Sequence, residues 1–135
     1  MKLLLDTHIL LWAAFDSPQL GEGRLSAATR RLLEDEKNEL VFSAASIWEV
    51  TIKNALGRPD FRFDPGLLAR SLVGNGYTEL RVSSPHAVAV ADLPDHHRDP
   101  FDRLLLAQAK VEGMQLLTND GEIAKYKGWP VRLAK

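Results

Sequence analysis

Residues 99–118, DPFDRLLLAQAKVEGMQLLT, contain a helix and the strand that follows it. Asp99 is a typical helix N-cap, and Pro100 suits the first helical position because an N–H is not needed there. The apolar residues that follow predict a helix over 100–113, and the short apolar run at 114–118 predicts a buried strand. This stretch therefore predicts a helix that leads directly into a strand, as in α/β proteins.

The same alternation of short apolar runs and longer helical segments extends along the chain. Strands are predicted at 2–6, 39–43, 78–82 and 114–118, with a fifth at 129–133. Helices are predicted at 7–14, 25–37, 44–56, 65–76, 84–93, 100–113 and 120–126. Strands that alternate with helices form a mostly parallel sheet covered on both faces. The sequence therefore predicts a three-layer α/β/α sandwich with four or five strands, as a single domain over residues 1–135.

The composition excludes several classes of protein. Of the 135 residues, 45% are hydrophobic and 26% are charged, which is ordinary for a globular domain. The absence of cysteine excludes disulfides and thiolate metal sites. A formal net charge of −1 argues against nucleic-acid binding by bulk electrostatics, so such a contact has to be local or metal-mediated. No apolar run approaches the roughly 20 residues of a membrane span, and we expect a cytoplasmic protein.

Four acidic residues fall at one predicted edge of the sheet. Asp6 and Asp120 follow the first and fourth strands, whereas Glu49 and Asp102 lie in the opening turns of helices. In a parallel sheet, the carboxyl ends of the strands and the N-termini of the returning helices share one edge, where ligands bind. The topology therefore predicts that these four carboxylates meet, although they are far apart in the sequence.

A group of carboxylates this close together persists only if a cation occupies it or its pKa values rise. Two unit charges about 5 Å apart repel by about 3 kcal/mol at an effective dielectric near 20. Carboxylate ligands without cysteine favour Mg²⁺ or Mn²⁺. One or two such ions can activate a water molecule for attack on a phosphodiester. The residues alone thus predict a metal site for hydrolytic chemistry.

Four motifs, in this order, resemble the PIN-domain nucleases, and more closely the VapC-like toxins of bacterial toxin–antitoxin pairs. They are LLLDTHILLW (3–12), SAASIWEVTIKNALG (43–57), RDPFDRLLLAQA (98–109) and LLTNDGEI (116–123). Each motif is weak alone, but the four together span almost the whole chain. The resemblance implies a PIN-like α/β/α fold and a metal-dependent ribonuclease. It also implies an RNA substrate, a cognate protein antitoxin and a homodimer.

The resemblance assigns roles to individual residues. It implies an acidic quartet at Asp6, Glu49, Asp102 and Asp120, which would hold Mg²⁺ or Mn²⁺ and carry catalysis. Supporting polar positions fall on Thr7 and on Thr118 or Asn119, and Asp99 is either a further ligand or only a helix cap. Three basic side chains near the predicted edge are candidates for contacts with RNA phosphate: Lys53, Arg98 and Arg103.

Each acid also has an ordinary local interpretation. Asp6 can cap the following helix, Asp120 can sit in a turn before Gly121, and Glu49 can pair with Lys53 one helical turn away. These local interpretations do not explain why the acids share one edge.

Two alternative functions stay open at this stage. A catalytically inactive PIN-like module would bind RNA or protein through the same fold. A phosphatase-like hydrolase would use Asp6 as a nucleophile, but the second aspartate expected two positions later is His8.

Overall fold

The central strand, β1 (Lys2–Leu5), is apolar and buried on both sides. A computed structural model describes residues 1–15, 25–59, 61–94 and 99–134 of the chain. In these ranges, β1 pairs in parallel with two strands, one on each side. A strand buried in this way needs side chains that tolerate an apolar environment on both faces, which explains the run of three leucines.

The remaining elements follow in the predicted order. The other strands are β2 (Glu39–Ser43), β3 (Thr78–Leu80), β4 (Gln115–Thr118) and β5 (Val131–Leu133). The helices are α1 (Thr7–Ala14), α2 (Ala27–Glu34), α3 (Ala44–Ala55), α4 (Pro65–Gly74), α5 (Ser84–Ala89) and α6 (Pro100–Glu112). Short 3-10 turns lie at Val90–Asp92 and Ile123–Lys125.

The five strands form one sheet in the order β3-β2-β1-β4-β5. Every neighbouring pair is parallel, so the sheet is parallel throughout and not merely for the most part. The chain builds outward from β1 to β3 and then returns to the other side of β1. The order of the strands therefore reverses between β1 and β4.

Two hydrophobic clusters lie on opposite faces of the sheet. Leu3 and Leu5 point into a cluster with α1, α3 and α4, against which side chains of α2 also pack. Leu4 points to the other face, where it meets the buried leucines of α6. Because successive side chains of a strand alternate between faces, β1 supplies both cores. The predicted three-layer α/β/α class is confirmed.

The structure shortens several predicted elements. The predicted helix at 25–37 ends at Glu34, and the strand at 78–82 ends at Leu80. The predicted helix at 120–126 is only a 3-10 turn at Ile123–Lys125, because the Asp120 side chain accepts the Glu122 N–H and forms a turn instead. The predicted loop at 16–23, and residues 95–98 of the loop at 94–99, lie outside the described residues.

Within the described ranges, no helix combines the length and the apolar character that are needed to cross a bilayer.

We predict opposite stability effects for two exposed glycines. Gly113 ends α6 in the left-handed conformation at φ +70°, so Gly113→Ala should cost about 1 kcal/mol from backbone strain. Gly74 lies inside the last turn of α4 with no atom near an added Cβ, so Gly74→Ala should gain up to about 1 kcal/mol. Urea unfolding measures both values, and equal effects would contradict the assigned conformations.

Candidate active site

The reversal of strand order creates a crevice at the carboxyl ends of β1 and β4. In open parallel sheets, this is the place where ligands bind. Asp6 directly follows β1, and its backbone N–H donates to the Leu117 carbonyl of β4 at 3.0 Å. Asn119 and Asp120 follow β4 at the same edge. The topology therefore places two of the predicted acids beside each other.

The structure brings all four predicted acids into one cleft at this edge, with a volume of about 190 Å³. Helices α3 and α6 contribute Glu49 and Asp102 from their opening turns. The complete lining is Asp6, Thr7, His8, Glu49, Lys53, Asp99, Asp102, Asn119 and Asp120. The sequence analysis had selected every one of these residues for the site except His8, which directly follows Thr7 in α1.

Asp6 is almost completely buried, with 5% of its surface exposed. One oxygen caps α1 by accepting the Ile9 N–H at 2.9 Å. The other oxygen accepts the hydroxyl of Thr118. Burial raises the pKa of Asp6 above its ordinary value, and these two hydrogen bonds and the nearby His8 oppose the rise only in part. Asp6 is thus a carboxylate whose charged form lacks solvation.

Thr118 connects the two sides of the crevice. Its side chain is fully buried at the end of β4, and its oxygen accepts the Asp120 N–H at 3.1 Å while its proton goes to Asp6. Asn119 is exposed and lines the cleft. Both candidate positions are therefore at the site, with Thr118 beneath the acids and Asn119 at the surface.

Glu49 is held from two directions. Its Oε1 accepts the Thr7 hydroxyl at 2.6 Å, and its Oε2 lies 2.8 Å from Nζ of Lys53. The Thr7 hydroxyl also lies 3.0 Å from Oγ of Ser46. Ser46 is a buried partner that the sequence analysis missed. Ser46 lies one helical turn before Glu49, and this spacing could have predicted that the two side chains are neighbours.

The start of α6 shows that Asp99 both caps a helix and lines the cleft. Its Oδ1 accepts the Phe101 N–H at 2.8 Å and the Asp102 N–H at 3.3 Å. Asp102 then sits in the first helical turn, where the helix dipole favours an acid. In the same way, Oδ1 of Asp120 accepts the Glu122 N–H at 2.9 Å.

The three basic candidates have different positions. Lys53 lines the cleft, as the sequence analysis predicted. The Arg103 guanidinium instead donates to the carbonyl of Pro94 at 2.9 Å and to the hydroxyl of Tyr126 at 3.2 Å, and Arg103 is not among the lining residues. These contacts bind two segments to α6, the one after α5 through Pro94 and the one after β4 through Tyr126. Arg98 lies outside the described residues.

The donor set of the cleft suits a hard divalent cation. It contains carboxylates and no thiolate, and such sites prefer Mg²⁺ or Mn²⁺. Among the described residues, however, no three acidic or histidine side chains already converge closely enough to hold an ion.

The raised pKa of Asp6 predicts a pH-dependent stability difference for Asp6→Asn. Below the ordinary value of 3.8, the carboxyl is protonated in both the folded and the unfolded states, and its burial has no ionic cost. As the pH rises through 3.8 towards the raised value, the wild-type fold loses stability that the variant keeps. The stability advantage of Asp6→Asn should therefore grow as the pH rises above about 4 and level off above the raised pKa of Asp6.

Urea unfolding in the presence of a chelator measures this difference. Asp92→Asn is the matched control, since Asp92 is exposed and outside the cleft, and its curve should run parallel to wild type. A constant difference between Asp6→Asn and wild type across this pH range would contradict the burial argument.

Solved structures with a similar fold include toxin–antitoxin complexes and a single toxin. VapBC2 from Rickettsia felis, bound to a DNA fragment from its promoter, matches with a TM-score of 0.69 at 13% identity over 100% of both chains. DNA-bound VapBC from Salmonella typhimurium gives 0.63 at 15% identity, covering 98% of this chain and 97% of that one. VapC20 from Mycobacterium tuberculosis, a toxin that cleaves the sarcin–ricin loop, gives 0.61 at 15% identity over 94% and 95%.

No curated protein sequence matches the chain significantly. The family model of the PIN domain, in contrast, matches residues 3–128, which include all five acidic residues that line the cleft. The match covers nearly the whole chain and agrees with the parallel sheet and its acidic crevice. The chain belongs to the PIN-domain family.

Proposed function

We propose that the protein is a metal-dependent endoribonuclease that acts as the toxin of a toxin–antitoxin pair. The observation that carries this proposal is the convergence of four carboxylates, from four separate elements, on the crevice between β1 and β4. A cleft of this kind is expensive to maintain without a cationic ligand, because its charges repel and lose solvation. Membership of the PIN family and the fold shared with VapC20, an RNA-cleaving toxin, support RNA as the substrate.

Asp6, Glu49, Asp102 and Asp120 are the candidate residues for holding Mg²⁺ or Mn²⁺. A divalent ion in this cleft would lower the pKa of a coordinated water and neutralise charge that develops at the scissile phosphate. The carboxylates would orient the ion, and one of them would accept the proton of the attacking water.

The other residues of the cleft keep these carboxylates in place. Thr118 and the N-terminus of α1 fix both oxygens of Asp6, and Thr7 fixes Glu49. Lys53 is the cationic side chain of the described lining that can meet an RNA phosphate, since it is partly exposed at the cleft. The chain therefore supplies both the acids and their supports, which favours an enzyme over an inactive binding module.

We predict that Asp6→Asn and Asp102→Asn each lower RNA cleavage by at least about 100-fold, because each removes a carboxylate of the proposed metal site. The assay uses protein freed of any antitoxin and a mixed RNA pool with Mg²⁺, Mn²⁺ or chelator. Asp92→Asn is the control, since it makes the same chemical change on the exposed surface. Cleavage should require the metal and survive in the control.

Two results of that assay would contradict the proposal. Wild-type rates in Asp6→Asn would remove the acids from the mechanism. A complete absence of cleavage, in a protein that Mn²⁺ also fails to stabilise against heat, would instead favour a module that only binds RNA or protein.

The proposed protein partners are a cognate antitoxin and a second copy of the chain. The similar VapBC structures are toxin–antitoxin complexes, and this supports the antitoxin.

An uncharged face of α3 supports a protein contact. It exposes 61% of Trp48 and 64% of Leu56, with Ile52 between them. Trp48 also packs edge-on against Phe101 with ring centroids 5.3 Å apart. An apolar stripe at helical spacing outside the core is typical of an interface.

We predict that this face of α3 forms the homodimer, so that Leu56→Glu yields a monomer. Burying a carboxylate in an apolar interface is strongly unfavourable without a partner. Sedimentation velocity measures the oligomeric state. Val88→Glu is the matched control, because Val88 is 72% exposed on α5, away from this face. A dimer that persists in Leu56→Glu, or one lost in Val88→Glu, would exclude this interface.

A further inference from the structure

A second cavity, with a volume of about 790 Å³, lies at the edge of the sheet opposite the acidic cleft. It is formed where β1 and β4 begin and where α6 ends, and its lining includes Lys2, Gln115 and Lys110. Asp102 and Lys110 lie near opposite ends of α6, about 12 Å apart along the helix axis. This amino-edge cavity is therefore separate from the carboxylates of the cleft.

The charge of the amino-edge cavity is opposite to that of the cleft. Its lining contains Lys2 and Lys110 and, among the described residues, no acidic side chain. Lys2 forms an ion pair with Glu39, which lies outside the lining, but both groups are exposed and 3.7 Å apart. An exposed pair of this length contributes little, so a phosphate group can replace Glu39. The cavity thus attracts anions, although the whole chain has a formal net charge of −1.

Lys110 is held in position by an aromatic ring. Its Nζ lies 4.7 Å from the ring centroid of Trp129, which also lines the amino-edge cavity. An indole face attracts a cation at this distance, and Lys110 nevertheless stays exposed. Because the side chain is already oriented, binding of an anion there costs less conformational entropy than at a freely moving lysine.

Gln115 brings an amide group to the same cavity. Its Oε1 is buried and has no hydrogen-bond partner in the described part of the chain. Such an oxygen is unusual, since most buried polar atoms of folded proteins are hydrogen-bonded. A ligand that carries N–H groups can supply the missing donor, and the exocyclic amines of nucleic-acid bases are such groups.

We propose that the amino-edge cavity binds single-stranded RNA at nucleotides remote from the scissile bond. Lys2 and Lys110 bind backbone phosphates, and Gln115 accepts a hydrogen bond from an unpaired base. Lysines beside an aromatic ring and an amide form a combination that suits single strands, whose bases are free to be contacted. The choice of RNA rests on the proposed function, but the site lies outside the acidic cleft and needs no metal.

The test measures binding of a short, fluorescein-labelled, single-stranded RNA of mixed sequence by fluorescence anisotropy, with a chelator present to prevent cleavage. Lys110→Gln should raise the Kd at least about threefold and lower the slope of log Kd against log salt by about 0.7, the effect of one lost phosphate contact. Lys110→Arg keeps the cation beside the ring and should bind like wild type. Arg70→Gln removes the same charge from an exposed position on α4, outside both cavities, and should change neither value.

Gln115→Met gives a second readout, because it removes the unpartnered oxygen with little change in volume. The melting temperature of the free protein should rise, while the Kd for RNA should increase at least about twofold. A residue with only a structural role would not move stability and affinity in opposite directions. Circular dichroism melting measures the stability and confirms that each variant is folded.

Three outcomes would overturn the inference and leave the nuclease proposal intact. They are a wild-type Kd and salt slope in Lys110→Gln, unchanged RNA binding in Gln115→Met, and displacement of the RNA by polyglutamate as effectively as by unlabelled RNA. The last result would assign the cavity to an acidic protein partner. Conversely, a chain that binds RNA through Lys110 and Gln115 but cuts none with Mg²⁺ or Mn²⁺ would refute the proposed function alone, and the inference would stand.

Discussion

The carboxylate of Asp6 connects the parts of the molecule that form the cleft. One oxygen caps α1, and the other accepts the hydroxyl of Thr118, whose own oxygen accepts the Asp120 N–H. Strand β1, helix α1, strand β4 and the segment after β4 are thus joined through one side chain at the point where the order of the strands reverses. Hydrogen bonds to a charged group stabilise by about 1.5–3 kcal/mol each, which offsets part of the cost of burying the carboxylate. The remaining cost is the lost solvation of the charged carboxylate, which raises the pKa of Asp6.

Local capping and membership of the cleft are compatible roles for the same acids. Asp6, Asp99 and Asp120 each use one oxygen to accept a backbone N–H nearby in the sequence, and all three line the cleft. The physical reason is that helix N-termini and strand carboxyl ends gather at one edge of a parallel sheet. The partial positive charge of a helix N-terminus favours an acid there, whether or not a metal binds. Capping therefore places these side chains where an acidic cleft needs them.

Short-range patterns in the sequence predicted most of the fold. The three leucines of β1 and the cap at Asp99 depend on neighbouring residues, and Asp99 caps α6 as expected. The cleft was also predictable, since its position follows from the order of strands and helices. The contacts of Arg103 were not predictable, because Pro94 and Tyr126 reach it only when the segments around α6 pack together. The helix predicted at 25–37 ends early at its C-cap Asp35, whose side chain accepts the Lys37 N–H at 3.0 Å in a local turn.

Glu49 and Lys53 show how burial changes the meaning of a local pattern. In the sequence they form an ordinary pair one helical turn apart, which on an exposed helix contributes about 0.2–0.5 kcal/mol. In the structure, Glu49 is almost completely buried while the end of Lys53 reaches the cleft. Low solvation strengthens such a pair and makes each partner costly to leave alone. A pair that would only stabilise a surface helix thereby places a lysine ammonium group among the carboxylates of the cleft.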